Sequence, residues 1–202
     1  MSAVLALTAA AGCSADEEKD SGAPIIVPGE VGESSKTVAP ESLKTPKDDY
    51  NDVDREFVEM MVPHHQQAVE MSALAAKHAR ASEVKGFASR ISDTQRAEID
   101  ALQGWLETRG LPKASTTPTG EHVTHMQGML TPAQMDELAA ARGRAFDRLY
   151  VKRMIAHHEG AIAMADEALS SGIDTVNRAF AGDVMASQSA EVTRLRDILL
   201  TL

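Results

Sequence analysis

Two pairs of adjacent histidines, His64-His65 and His157-His158, are the residues of this sequence best suited to chemistry. Neutral imidazole binds zinc, copper, iron and manganese, and the protonated ring pairs with carboxylates. A methionine precedes the second histidine of each pair by four residues, at Met61 and Met154. Because thioether sulfur favours Cu(I), the combination of histidine and methionine directs a metal hypothesis towards copper, with zinc and iron as alternatives.

The two histidine pairs belong to a duplicated segment. When the sequence is shifted against itself by 93 positions the pairs coincide, and the register holds without a gap over residues 54–109. In that range 17 of 56 positions are identical to their partners, including Asp54 with Asp147 and Glu98 with Glu191. The chemistry of the histidines is therefore expected twice, or at the junction of the two copies.

Helices are the elements that position these residues. From Phe57 to Ala75, apolar residues and His64 recur at intervals of 4, 3, 4, 3 and 4 residues, which is one side of a helix. Capping and helix-breaking residues separate such patterns, with Ser82 as the predicted N-cap of the second helix. The sequence predicts long helices at about 52–80, 82–108, 144–170 and 174–202, and a short helix at 132–142.

The predicted fold is all-α. Residues 51–202 are expected to form a ferritin-like four-helix bundle built from two duplicated helical hairpins, with residues 111–143 as a long crossover between them.

Carboxylates on the inner side of the bundle complete a candidate site. Glu98 and Glu191 share the inward lines of their helices with Gln95 and Gln188. A buried carboxylate must be paired, and the histidines are the obvious partners. Two interpretations stay open, a hydrogen-bonded network that fixes helix register and a metal site. The candidate ligands are Asp54, Met61, His64, His65 and Glu98 in the first copy, and Asp147, Met154, His157, His158 and Glu191 in the second.

A second candidate metal site lies in the crossover, where His122, His125, Met126 and Met129 are closely spaced in a segment expected to be polar and exposed. A chance cluster in a flexible loop is the alternative. The Glu-x-x-His signature of di-iron bundles is absent from the sequence, which counts against a ferritin-like oxidase and against an enzyme.

Composition and the N-terminal segment indicate an address outside the cytoplasm. The net charge of −10 argues against nucleic acid as a partner. Residues 1–13 are small and apolar and end in Cys13, the only cysteine, like a lipoprotein signal segment whose cysteine carries the lipid. Residues 14–50 are rich in Pro, Gly, Ser and charge, and we expect a disordered linker to the membrane.

The duplicated motif resembles a secreted bacterial family. The spacing of Asp54, Phe57, Met61, His64-His65, Ala68 and Met71, and its repeat from Asp147 to Met164, are similar to the motif of the family named domain of unknown function 305. That family includes copper-binding periplasmic proteins of the CopM type. The resemblance covers residues 50–202 and implies a ferritin-like bundle, export, and binding of a metal, copper first.

The sequence thus predicts a lipid-anchored, extracytoplasmic four-helix bundle that binds copper for tolerance or trafficking. A cell-envelope interaction or scaffold protein, with structural histidines and glutamates, is the alternative.

Overall fold

The structure is a computed structural model that describes residues 25–27, 36–38, 50–117 and 126–202. The chain divides into a first unit, Met1–Thr45, and a second unit, Pro46–Leu202. The predicted lipid-bearing Cys13 and two of the crossover candidates, His122 and His125, lie outside the described residues.

The described part of the first unit is a short hairpin. Strand β1, Ile25–Val27, pairs antiparallel with β2, Lys36–Val38, so that Ile25 lies opposite Val38. The prediction that residues 14–50 form a disordered linker stays a prediction, since the structure describes only these two segments and Tyr50 in that range. Both contain β-branched residues, which favour extended backbone, and pairing then satisfies the backbone hydrogen-bonding groups of each strand.

The second unit is helical, and the predicted all-α four-helix bundle is confirmed. Its elements are α1 (Asp52–His78), α2 (Ser82–Thr108), α3 (Pro132–Ala140), α4 (Gly143–Ser171) and α5 (Thr175–Thr201). The long helices α1, α2, α4 and α5 form the bundle, and the crossover contains α3. Helix α1 runs continuously through Pro63, just before the first histidine pair.

Side-chain caps fix the start of three helices. Asn51 and Thr131 form capping boxes at α1 and α3, and the Asp174 carboxylate caps α5. The prediction that Ser82 caps α2 is wrong, because the N-cap is Ala81, which has no side chain that can accept a hydrogen bond. At this turn a carboxylate from another helix accepts hydrogen bonds from the backbone N–H groups of the two residues before α2.

That carboxylate is one of a repeated pair that joins the two hairpins. Asp54 on α1 accepts hydrogen bonds from the backbone N–H groups of Ile173–Asp174, in the turn between α4 and α5, at 2.9 and 3.1 Å. Asp147 on α4 accepts from Arg80–Ala81, in the turn between α1 and α2, at 2.9 and 3.0 Å. Each copy therefore holds the interhelical turn of the other copy.

The two hairpins meet mainly through α1 and α4. Helix α1 packs along α2 and α4 packs along α5, whereas α2 and α5 touch each other only slightly. Since the histidine pairs are on α1 and α4, this arrangement places them at the junction. Within the described residues, no helix is both long and apolar enough to cross a membrane.

Two apolar clusters fill the bundle and leave a polar layer between them. One cluster takes Phe57 to Val62 from α1 and Ala161 to Ala168 from α4, and the other takes Ala68 to Ala79 and Phe146 to Met154. On both helices the histidine pair lies between these segments. The histidines therefore occupy a layer at mid-height, enclosed by apolar side chains along the bundle axis.

Candidate metal centre

Four buried histidines form this layer, which we call the histidine layer: His64, His65, His157 and His158, all 0% exposed. His64 and His157 come from different copies, and their ring centroids are 3.8 Å apart with planes tilted by 40°. Within each pair the centroids are 6.5 and 6.2 Å apart. The centre is thus located at the junction of the copies, which was one of the two expected places.

The outer ring of each pair lies against a glutamate. Nε2 of His65 is 2.8 Å from a carboxylate oxygen of Glu98, and Nε2 of His158 is 2.7 Å from one of Glu191. The sequence predicted both partnerships. Their position on the inward lines predicted that both glutamates would be buried. Their side chains are instead 18% and 23% exposed, so they connect the buried rings with solvent.

The hydrogen-bond partners determine which ring nitrogen carries the proton. Nε2 of His64 lies 3.1 Å from the backbone carbonyl of Gln127, and a carbonyl can only accept. A neutral His64 ring that makes this bond is protonated at Nε2 and has its lone pair at Nδ1. The same reasoning applies to His158, whose Nε2 makes a hydrogen bond with the Glu191 carboxylate. Nε2 of His65 lies 2.8 Å from the Glu98 carboxylate but makes no hydrogen bond with it. Metal-ligating histidines are oriented in this way, by donating the other N–H to a carboxylate or carbonyl.

The remaining ring nitrogens have no hydrogen-bond partner within the described part of the chain. They are Nδ1 of His64 and His158, and both nitrogens of His65 and His157. The buried amides of Gln95 and Gln188, at matching positions of the two copies, are unpartnered as well. An unsatisfied buried polar group costs about 1–3 kcal/mol. So many of them in one layer indicate a place built to receive a water molecule or an ion.

Burial keeps the inner two histidines neutral. Burial, followed by repulsion from the neighbouring His65 and His158 rings, lowers the pKa of His64 to about 3. Burial, followed by repulsion from the other three rings, lowers the pKa of His157 well below its ordinary value. Neutral imidazole is the form that binds metals, so these rings are available as ligands without competition from protons at neutral pH.

The end of the crossover covers the histidine layer. The Gln67 amide donates to the carbonyl of Leu130 at 2.9 Å and accepts from its N–H at 2.7 Å. On the opposite helix Gly160 leaves the space that the backbone needs, because a Cβ there would lie 1.9 Å from the carbonyl oxygen of Gln127. Gly128, with φ of +80°, makes the turn at the point of closest approach.

Sequence reasoning missed these positions, although a signal for them existed. Gln67 and Gly160 occupy matching positions of the two copies, two residues after each histidine pair. In the structure the two copies have different neighbours at this position, Leu130 for Gln67 and Gln127 for Gly160. Because there is one crossover, the two copies contact it differently. The first copy binds it through the Gln67 amide, and the second leaves space for its backbone at Gly160.

Some predicted ligands are not brought to the histidine layer. Asp54 precedes His65 by 11 residues on α1, which is about 16 Å along a helix. Asp147 has the same relation to His158, and both carboxylates hold interhelical turns. The prediction that these aspartates share a site with the histidines is wrong, because the turns already use their oxygens. Across residues 50–117 and 126–202, no three His, Cys, Asp or Glu side chains converge to hold a metal.

The predicted methionines have two different surroundings. Met61 and Met154 lie one turn before the outer histidines and are 0% exposed. Met126 is buried and Met129 partly buried in the same apolar cluster as Phe57. The expectation of an exposed crossover group is wrong for these last two residues, because the crossover packs its methionine side chains into the bundle.

The fold and site define a duplicated four-helix bundle with a buried layer of four histidines. The family model described as "Domain of unknown function (DUF305)" matches residues 54–199, and the chain belongs to this family. No curated protein matches the sequence.

The chain is similar in sequence and fold to solved structures of this family and of CopM. A DUF305 protein from Streptomyces coelicolor, described as a candidate secreted protein, is 32% identical, with 74% of this chain and 91% of that chain covered and a TM-score of 0.67. CopM in its Cu(I)-bound form is 28% identical, with 71% and 93% covered and a TM-score of 0.59. CopM in its Cu(II)-bound form is 28% identical, with 73% and 96% covered and a TM-score of 0.63.

Proposed function

We propose that this protein binds a metal ion, copper first, at its histidine layer, and serves copper tolerance or trafficking outside the cytoplasm. The observation that carries the proposal is the hydrogen bonding of the rings. His64 and His158 each make a hydrogen bond through Nε2, to a carbonyl and to a carboxylate, and keep Nδ1 unpartnered in a buried place. Nε2 of His65 lies 2.8 Å from the Glu98 carboxylate. This is the orientation that a second shell gives to ligating histidines.

The chemical roles follow from these contacts. The histidines are the proposed ligands, with Met61 and Met154 as neighbouring thioethers that favour Cu(I) over zinc. Glu98 and Glu191 orient the outer rings and provide a polar connection to solvent. The CopM structures with Cu(I) and Cu(II) support copper as the first metal to test.

The proposed address rests on the N-terminal sequence and on one relative. Residues 1–13 have the character of a lipoprotein signal segment that ends in Cys13. The Streptomyces coelicolor relative is described as a candidate secreted protein. We propose that the protein is exported and held at the membrane by a lipid on Cys13.

A hydrogen-bonded structural layer, in a scaffold protein of the cell envelope, is the second candidate function. It is favoured by the lack of three converging His, Cys, Asp or Glu side chains in the residues that the structure describes. A metal in this layer needs a ligand of another kind, or movement of a side chain. Binding experiments distinguish the two candidates.

The test compares metal binding by wild type, His64→Ala with His157→Ala, and His65→Ala with His158→Ala. Calorimetry with Cu(II) and Zn(II) and elemental analysis after dialysis give the stoichiometry. We expect wild type to bind and to gain about 2.7 kcal/mol of stability when the free metal is a hundredfold above its dissociation constant. Both double variants should lose this gain.

Two control variants identify where the metal binds. His78→Ala removes a partly exposed histidine near the end of α1 and should leave binding unchanged. His122→Ser with His125→Ser removes the crossover histidines and should also leave the bundle site intact. If the four histidines of the layer can be replaced without loss of stoichiometry, the metal proposal is wrong and the layer is structural.

A further inference from the structure

Helix α5 exposes large apolar residues at both of its ends. Val176, in the first turn of the helix, is 58% exposed, and Leu200, in the last turn, is 87% exposed. Ile173, in the turn before the helix, is 54% exposed. In the part of the chain that the structure describes, these are the exposed large hydrophobic residues. Single apolar residues are common on protein surfaces, so the meaning of these three depends on what surrounds them.

The two apolar ends belong to one continuous face of the helix, which we call the outward face of α5. Its positions recur at intervals of 3 and 4 residues, which is the spacing of a seam between paired helices. The residues of this face are all exposed, and they are Val176, Ala179, Asp183, Ala186, Ala190, Thr193, Asp197 and Leu200. The opposite side of α5 carries Val184, Gln188 and Leu195, which are buried in the bundle. The outward face is therefore free for a contact with another molecule.

The first copy provides a comparison for this face, because α2 is the repeat counterpart of α5. The eight corresponding residues of α2 are Glu83, Gly86, Arg90, Asp93, Ala97, Asp100, Gly104 and Glu107. Five of them are charged, whereas only two of the eight on α5 are charged. The difference is largest at the ends, where α2 has Glu83 and Glu107 in place of Val176 and Leu200. The fold therefore accepts charge at these positions and does not itself require the apolar residues of α5.

The order of residues along the outward face makes it complementary to a second copy of itself. Two α5 helices can run in opposite directions about a two-fold axis midway between Ala186 and Ala190. Val176 of each chain then meets Leu200 of the other chain, at both ends of the contact. Ile173 extends the apolar contact beyond Val176. At the centre, Ala186 of one chain meets Ala190 of the other, and these short side chains allow the two helices to approach closely.

Charge is complementary in the same antiparallel register. The position opposite Arg178 of one chain is one residue from Asp197 of the other chain, so that a guanidinium and a carboxylate lie within reach of each other twice. Within the described residues of a single chain, neither side chain is in an ion pair. Arg194, by contrast, already contacts Glu83 of its own chain at 2.5 Å. In a parallel pair each residue would lie opposite its own like-charged counterpart, so the charges favour the antiparallel arrangement.

We infer that two copies of this chain form an antiparallel dimer with two-fold symmetry through the outward face of α5. Burial of Ile173, Val176 and Leu200 stabilises the dimer, and the Arg178–Asp197 pairs select its orientation. The contact is one helix long, about 36 Å from Val176 to Leu200. An interface of this extent is small, so the dimer depends on protein concentration. The inference does not rest on metal binding.

Disulfide cross-linking tests the contact and its direction together. All variants carry Cys13→Ser in the full chain, which then contains no other cysteine. Val176→Cys with Leu200→Cys should give a covalent dimer on mild oxidation, since a disulfide requires Cα atoms within about 7 Å. Within one chain the two positions are about 36 Å apart, so the disulfides must join two chains. Each single variant, Val176→Cys or Leu200→Cys, should stay monomeric, because in the antiparallel pair each cysteine is far from its own counterpart.

Sedimentation velocity measures the association without a cross-link. The mass of the Cys13→Ser protein should rise with concentration towards that of two chains. Ala186→Glu with Ala190→Glu places like charges at the centre of the contact and should keep the protein monomeric. Ala97→Glu, at the repeat counterpart of Ala190 on α2, is the matched control and should associate as before.

Two results would overturn the dimer. One is a Cys13→Ser protein that remains monomeric up to about 1 mM, a concentration at which even a weak specific contact is populated. The other is cross-linking of the single-cysteine variants as efficiently as the double variant, which would show random collision or a parallel pair.

Discussion

At the scale of single residues, the partners of each histidine ring decide which nitrogen is available to a ligand. His65 and His158 each lie against the glutamate of their own copy, at 2.8 and 2.7 Å, and the contact of His158 is a hydrogen bond. His64 and His157 differ, because only His64 has the carbonyl of Gln127 on Nε2. The duplicated centre is therefore asymmetric at its middle, because no hydrogen bond fixes which nitrogen of His157 carries the proton.

The lowered pKa values of His64 and His157 predict that acid destabilises the fold. In the unfolded chain these rings take up protons below about pH 6.5, whereas in the folded protein they stay neutral. The unfolded state then binds more protons, so stability rises with pH and falls as the pH decreases below 6.5. Each ring contributes up to about 1.4 kcal/mol per pH unit, for His64 down to a pH of about 3.

Urea denaturation of the metal-free protein between pH 7.5 and 4.5 measures this slope. His64→Gln with His157→Gln should flatten the profile, since glutamine does not titrate. The pKa of Asp54 is lowered, because the hydrogen bonds from Asn177 and three backbone N–H groups outweigh the effect of burial. Its stabilising effect is lost only below about pH 4. If the stability of the wild-type protein did not change between pH 7.5 and 4.5, the conclusion that His64 and His157 stay neutral in the folded protein would be wrong.

At the scale of the elements, turns and helices of the two copies are joined by side chains that reach across the junction. Asp54 is 0% exposed and accepts hydrogen bonds from the α4–α5 turn and from Asn177 on α5. Asp147 does the same for the α1–α2 turn. The repeated aspartates therefore fix how one hairpin is placed on the other.

Asp54→Ala is expected to destabilise the bundle without changing metal stoichiometry. It removes a buried charged acceptor and leaves several N–H groups unpaired, at a cost of about 3 kcal/mol. Asp52→Ala, whose side chain is 97% exposed, is the control and should change stability by less than about 0.5 kcal/mol. Chemical denaturation measures both, and a loss of bound metal in a folded Asp54→Ala protein would show that the carboxylate is a ligand after all.

Gly160→Ala tests the close contact between the crossover backbone and α4. The new Cβ would meet backbone atoms of Gln127 at 1.9 Å, so the crossover must move, and overpacking of this kind costs about 1–3 kcal/mol. Gly182→Ala on α5 has no atom within 4 Å and should be neutral or stabilise by about 1 kcal/mol. Thermal denaturation compares the two variants. Equal midpoints would mean that the crossover can move away from α4 without a loss of stability.

At the scale of the whole molecule, the crossover makes the duplicated bundle asymmetric, because it covers one side of the interface between the two hairpins. The α1–α4 interface is the extensive contact between hairpins, and the crossover closes it on one side. The opposite hairpin helices, α2 and α5, carry Glu98 and Glu191, whose partial exposure keeps a polar connection to the outer histidines. The two faces of the histidine layer are therefore chemically different.

Cys13→Ala tests the proposed anchor. If Cys13 carries a lipid, the wild-type protein should be found in the membrane fraction and the variant in the soluble extracytoplasmic fraction. Mass spectrometry of the wild-type N-terminus should show cleavage before Cys13 and an acyl mass on it. A protein that remains membrane-bound after Cys13→Ala, or a soluble wild type with residues 1–12 intact, would exclude the anchor.

The sequence by itself was enough for the helices, the duplication and the pairing of His65 and His158 with glutamates. These features depend on local periodicity and on the repeat register, which a single chain displays directly. Helical spacing places His65 and Glu98 on inward faces, and neighbouring helices of a hairpin must then bring them together.

Only the tertiary structure decided the roles of Asp54, Gln67 and Gly160, because each acts on a segment far away in the sequence. Asp54 has the right chemistry for a metal ligand, but its carboxylate accepts a hydrogen bond from the backbone N–H of Ile173 in the α4–α5 turn. The contact between His64 and His157 depends on which helices of the two hairpins pack together. Spacing along one helix does not contain that information, since it fixes the direction of a side chain and not the element that it meets.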